Sequence, residues 1–189
     1  YSGNEAMRAG KISLFAVYSS DHGVTWGTPQ RLLDTPDGHD YDPSIIVIGR
    51  RVIVSATTTH LNETGITTSR TMAVASDDGG RTWSRPYEIP MGRRYTSGKI
   101  NNGITLPDGT ALWGYTWEKN LETRERLASE GEMEEMNAVL ISYDDGRTWA
   151  SSRSVGLAAR RPPEASGAIN GLCEPALAWC NDGSVFMLC

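Results

Sequence analysis

The chain has only three cysteines and three histidines in 189 residues. Cys173, Cys180 and Cys189 crowd one end of the sequence, their number is odd, and their spacing fits no metal-ligand pattern. A disulfide framework and a structural zinc site are therefore set aside in favour of free or buried thiols. His22, His39 and His60 lie too far apart to read as a ligand set. No apolar run reaches the roughly 18 residues of a membrane-spanning helix, and no signal-peptide pattern is present. Basic runs are missing as well. With a net charge of −5, nucleic acid and anionic membrane surfaces are poor partners. There is neither a Walker loop nor a G-x-G-x-x-G turn of the kind that cradles a nucleotide phosphate. These absences leave the compartment open.

What the chain does have is one stretch three times over. SSDHGVTW at 19–26, SDDGGRTW at 76–83 and SYDDGRTW at 142–149 all fit S-x-D-x-G-x-T-W. The first serines stand at 19, 76 and 142, so the copies are 57 and then 66 residues apart. A period of that size marks a repeat architecture whose unit holds four short strands, the size of a propeller blade. Each copy follows a β-prone run and reads as a hairpin turn. Asp21, Asp78 and Asp144 can accept bonds from their own turn, while Gly23, Gly80 and Gly146 supply positive φ. The tryptophans Trp26, Trp83 and Trp149 can fold back over the turn. Because a single site cannot use the same turn three times around a ring, the three aspartates are assigned to the fold.

The pattern predicts strands at 12–18, 30–33, 44–48, 52–58, 71–75, 85–89, 100–106, 110–117, 138–141, 152–155, 175–180 and 184–189. The division that follows is the second half of a blade at 1–34, a blade at 35–91, a blade at 92–156 and the first half of a blade at 157–189. Residues 118–137 interrupt the scheme and, being rich in charge and helix formers, read as a solvated helical insertion. Alternating strand direction puts the three repeated turns, PDG at 107–109 and NDG at 181–183 on one face. The opposite face, or mouth, gathers the longer loops, where function tends to sit. Carboxylates and guanidinium groups converging there would suit an acidic sugar.

The repeated turns resemble the Asp boxes (BNR repeats) of the sialidase-like six-bladed β-propellers, and the resemblance runs the length of the chain. It implies an all-β propeller of which 189 residues make about half, so the chain is expected to be a fragment, inactive by itself. It also implies a parent that removes terminal sialic acid or a related acidic sugar from glycans, with retention, through a tyrosine nucleophile and without a cofactor. The tyrosine and the arginine triad that binds the substrate carboxylate would lie outside these residues. Asp boxes occur on other proteins too. Another glycosidase or a polysaccharide lyase, and a glycan- or protein-binding propeller without catalysis, both remain open.

Candidate residues follow from the mouth-facing positions. Glu174, in the sequence CEPALAW, resembles the E-P strand start whose glutamate pairs with the tyrosine nucleophile; the alternative is a structural ion pair. Glu5 is the only carboxylate at 1–10, where the resemblance implies a general-acid aspartate. Asp42, in YDPSI, holds the position in its blade that Glu174 holds later, and with Asp40 it can bind substrate, supply a second acid or cap the turn before Pro43. Arg93 and Arg94 offer forks for a substrate carboxylate. Asn101, Asn102 and His60 are candidates for hydrogen bonds to the sugar. Trp117 could stack on a sugar ring or serve as packing.

Overall fold

The computed structural model describes residues 10–62, 65–97, 101–119, 134–156 and 170–189. These form four sheets in chain order. β1 (Leu14–Ala16) pairs antiparallel with β2 (Gln30–Leu33). β3 (His39–Ile48), β4 (Arg51–Asn62), β5 (Gly65–Ser76) and β6 (Tyr87–Glu88) make a four-stranded antiparallel sheet in that order. The third sheet is built on β9 (Ala111–Glu118) and β10 (Glu134–Ser142). β7 (Thr96–Ser97) and β8 (Ile104–Thr105) flank β9, while β11 (Ala150–Ser151) and the parallel β12 (Asn170–Gly171) flank β10. β13 (Ala176–Trp179) and β14 (Val185–Leu188) close as a hairpin.

Successive sheets pack face to face. Ile46, Ile48 and Ile53 of the second sheet meet Trp113, Tyr115 and Leu140 of the third in one core. Leu14 and Leu33 meet Val54, Ala56 and Val74 in another. Each large apolar side chain buried this way stabilises the fold by roughly 1.5–3 kcal/mol. All eight residues of β9 are buried, as expected of a strand covered on both faces.

The three repeated turns have one hydrogen-bond pattern. The serine hydroxyl bonds the aspartate carboxylate at 2.7, 2.8 and 2.8 Å. The box glycine N–H donates back to the serine at 2.8, 2.8 and 2.9 Å. The threonine N–H and hydroxyl both donate to the aspartate. These bonds, the threonine hydroxyl's first, hold Asp21 and Asp144 down at about 2 and lower Asp78 in the same way. Two consecutive residues are left-handed in every copy: His22 and Gly23, Gly79 and Gly80, Asp145 and Gly146. Each tryptophan ring covers its own box glycine, whose added Cβ would stand 3.6, 3.5 and 3.2 Å from the ring. The boxes also join sheets. Tyr18 donates to Gly80 O at 2.9 Å and accepts from Trp83 Nε1 at 3.0 Å, and Trp149 packs 5.8 Å from Trp113, centroid to centroid.

Several expectations need correction. The stretch at 59–70, expected as a connection between strands at 52–58 and 71–75, lies mostly in β4 and β5, because Thr57, Thr58 and Thr59 are β-branched and fully buried despite their hydroxyls. β3 begins at His39, so Asp40 and Asp42 sit in a strand, with a register shift between Tyr41 and Ser44. The insertion is not solvated at its ends. Glu118 closes β9, residues 134–137 open β10, and Glu118, Glu135 and Asn137 are all fully buried. Residues 120–133 lie outside the described part. The strand expected at 152–155 is instead β11, with Val155 bridging back to Asn137.

Candidate functional site

The mouth is built from the heads of the inner strands. Asp42 and Glu174 stand at matching points, each just before a proline, and each has a left-handed backbone, with φ of 49° and 56°. A left-handed residue that carries a Cβ costs about 1–2 kcal/mol, and a following proline restricts it further. An exposed carboxylate on a strained backbone thus lies at the register shift within β3 and another just ahead of β13.

Glu174 is fixed through its main chain. Its N–H donates to Thr116 Oγ1 at 3.1 Å, and its carbonyl accepts from Asn101 Nδ2 at 2.8 Å. A cavity of about 590 Å³ opens beside it, lined by Asn101, Glu135, Leu172, Cys173 and Glu174 among others. Glu135 faces Glu118 directly across β9 and β10, and both are fully buried. Glu118 Oε2 accepts the N–H of Glu134 at 3.1 Å.

Two tyrosines belong to the same neighbourhood. Burial raises the Tyr95 hydroxyl far above its ordinary value, with further push from Tyr41 and from the charges of Glu118, Glu135 and Asp42. Tyr41 is pushed up to about 12, chiefly by burial and also by Asp42, against a hydrogen bond from Thr59. Sequence reasoning missed Glu118, Glu135, Tyr41 and Tyr95. The pairing of β9 with β10 that joins the two glutamates has no local signature.

The remaining candidates divide. Asp40 is fully buried, and its carboxylate accepts from the Thr35 N–H at 2.7 Å, the Thr35 hydroxyl at 2.8 Å and the Thr58 hydroxyl. It holds the chain ahead of β3 and faces inward. His60 lies within β4, its Nδ1 3.1 Å from the Thr68 hydroxyl. Arg93 lies over the Trp117 ring at 3.7 Å, and Trp117 donates to Ser154 Oγ at 3.0 Å while only 7% exposed. A sugar could stack there only by displacing the guanidinium. Arg94 is exposed next to it. Asn101 joins three sheets. Its carbonyl accepts from Ser44 Oγ at 2.8 Å and Trp113 Nε1 at 2.9 Å, while its side chain holds Glu174. Asn102 Oδ1 accepts from the Ile45 N–H at 3.3 Å. Glu5 lies outside the described residues. Chemically, Asp42 and Glu174 offer exposed carboxylates and Arg93 and Arg94 offer guanidinium groups, types of group able to move protons and to bind an anion.

Comparison with known proteins agrees with this architecture. The model of the BNR repeat-like domain matches residues 15–189. No curated protein matches the chain. Among solved structures, the Hadza microbial sialidase Hz136 is 22% identical, with a TM-score of 0.58 over 76% of this chain and 32% of its own. Trypanosoma rangeli sialidase is 15% identical, with a TM-score of 0.63 over 94% of this chain and 29% of its own. The K499G mutant of NanB sialidase from Streptococcus pneumoniae is 16% identical, with a TM-score of 0.58 over 94% and 24%. The chain therefore spans about a third or less of the length of these three sialidases. Its sheets are those of a sialidase-type β-propeller, and the chain belongs to the BNR repeat-like domain family.

Proposed function

We propose that the protein is a glycoside hydrolase that removes a terminal sialic acid or related acidic sugar from glycans, with retention at the anomeric carbon. The observation that carries this reading is Glu174. It is exposed at the head of an inner strand, held in a left-handed conformation ahead of Pro175, and borders a cavity of a size to admit a monosaccharide. In this reading Glu174 takes the proton of a tyrosine nucleophile supplied by residues outside 1–189. Asp42, at the register shift within β3, contacts the sugar or supplies a proton, and Arg93 and Arg94 meet the substrate carboxylate. Tyr41 and Tyr95 fit the nucleophile less well, since burial disfavours their ionised forms. Two structures of Trypanosoma rangeli sialidase support the choice of ligand and chemistry at the level of the fold: one is a complex with sialic acid, the other a covalent intermediate with 2,3-difluorosialic acid.

A different glycosidase or a polysaccharide lyase on the same scaffold is the second reading. It is favoured by the stretch at 1–10, which contains Glu5 and no aspartate. Hydrolysis of a fluorogenic sialoside by the full-length protein and by Glu174→Gln decides between them. Turnover in the wild type that collapses in a folded Glu174→Gln supports the sialidase. Absence of turnover in the wild type, with glycan binding retained, rejects it.

A further inference from the structure

A left-handed residue ahead of a proline persists only where the surroundings hold it in place. For Glu174 three such contacts exist. Its N–H donates to Thr116 Oγ1 at 3.1 Å and its carbonyl accepts from Asn101 Nδ2 at 2.8 Å. Pro175 lies so close to Gly114 that a Cβ added there would be 2.9 Å from the proline carbonyl oxygen. Gly114 and Thr116 are two residues apart on β9 and so share a face, which receives the Glu174–Pro175 pair as a unit.

Thr116 is itself oriented from behind. It is fully buried, stands in register with Asn137 on β10, and donates its hydroxyl proton to Asn137 Oδ1 at 2.8 Å. A hydroxyl has one proton, so committing it to Asn137 turns the oxygen lone pairs toward the Glu174 N–H. Asn137 is anchored in turn by reciprocal backbone bonds with Val155 at 2.9 and 2.7 Å. A relay thus runs from the β10 backbone through two buried side chains to the backbone of Glu174.

We infer that Thr116, backed by Asn137, is a positioning residue that sets the Glu174 backbone and with it the direction of the carboxylate into the mouth. The inference deepens the proposed function and rests on Glu174 being the site carboxylate. Thr116 is too deeply buried to touch a ligand, so its effect passes through Glu174 alone.

The test uses the full-length protein with Thr116→Val, which keeps the β-branched shape and removes the acceptor, and Thr116→Ser, which keeps the hydroxyl. Thr116→Ala replaces the valine if that variant does not fold. The first readout needs no reaction: the carboxyl carbon signal of Glu174 in glutamate-labelled protein, assigned through Glu174→Gln. Valine is expected to move this signal and serine to return it to the wild-type position. The second readout is sialoside turnover. Valine is expected to lower kcat roughly 10- to 100-fold with KM within about twofold, and serine to recover most of the loss. A Glu174 signal unmoved in the folded valine or alanine variant overturns the inference, as does a change that serine fails to reverse. A wild type without sialoside turnover removes the proposed activity and leaves the Glu174 signal to decide the positioning.

Discussion

Asp144 and Glu174 are both carboxylates just outside strands, the first beyond the Ala111–Ser142 end of the β9–β10 pair and the second at its Thr116–Asn137 end. Asp144 sits in the turn after β10, and its oxygens accept bonds from Ser142, from the Arg147 N–H and from both donors of Thr148. That environment keeps it ionised and already engaged. Glu174 is held through its backbone, by Thr116 and Asn101, and no hydrogen bond to its carboxylate occurs among the described residues. The difference separates a carboxylate that builds a turn from one whose backbone is held while its side chain faces solvent. Exposure alone would not separate them, since both chain positions border solvent.

The sharpest break of this contrast is exchange of charge for amide at each site. Glu174→Gln should lower kcat/KM on a sialoside by about 10²- to 10⁴-fold with the unfolding midpoint nearly unchanged. Asp144→Asn should leave kcat/KM per folded molecule intact and lower the midpoint instead. Denaturant melts and steady-state kinetics on the same samples check both, and a catalytic defect in Asp144→Asn would erase the distinction.

Gly171→Ala has the next largest expected effect, because an added Cβ would collide with the Glu135 backbone and part β12 from β10. Overpacking of this kind costs about 1–3 kcal/mol, measured by denaturant melts. It should also weaken ligand binding, since Gly171 and Leu172 lead directly into Glu174. Arg93→Ala should cost roughly 0.5–2 kcal/mol through the lost stack on Trp117. It would show a larger fall in ligand affinity than in stability if the guanidinium also meets the substrate.

The smallest effect is in the acid limb of stability. Asp21 and Asp144 have folded values near 2 and Asp78 is lowered too, against an ordinary aspartate near 3.9. The folded state therefore favours the ionised form. Its contribution is complete above pH 4 and declines as pH falls from about 4 through 2. Asp78→Asn with Asp144→Asn should flatten the melting temperature across that window and leave it parallel to the wild type above it.

Much of the architecture was legible in the sequence for a physical reason. An Asp box is a local device, complete within eight residues, so Ser142, Asp144, Gly146 and Thr148 announce their own bonds. The Asp42–Pro43 and Glu174–Pro175 pairs were equally visible, though neither their left-handed backbones nor the start of β3 at His39, ahead of Asp42, was. What the sequence concealed depends on partners far along the chain. Glu118 and Glu135 read as solvated charge because nothing local states that they face each other inside a sheet. Trp117 read as either a stacking surface or packing, and only the approach of Arg93 and Ser154, distant in sequence, decides for packing. Thr116 read as an ordinary β-former, and only the approach of Glu174 gives its hydroxyl a role.

The location of the boxes has a consequence for how such proteins change. Each box closes its hairpin at one end, and since a slip of one residue would turn every side chain to the wrong face, the alignment of the whole hairpin is set there. The turn at 142–149 fixes the β10–β11 hairpin in this way, pairing Leu140 with Ser151 and Ile141 with Ala150, and the connection from β9 to β10 carries no share of that task. Loops between the boxes can therefore change in length while each box-closed hairpin stays aligned. Each such turn works like a clasp that keeps its own hairpin aligned whatever the loops around it become.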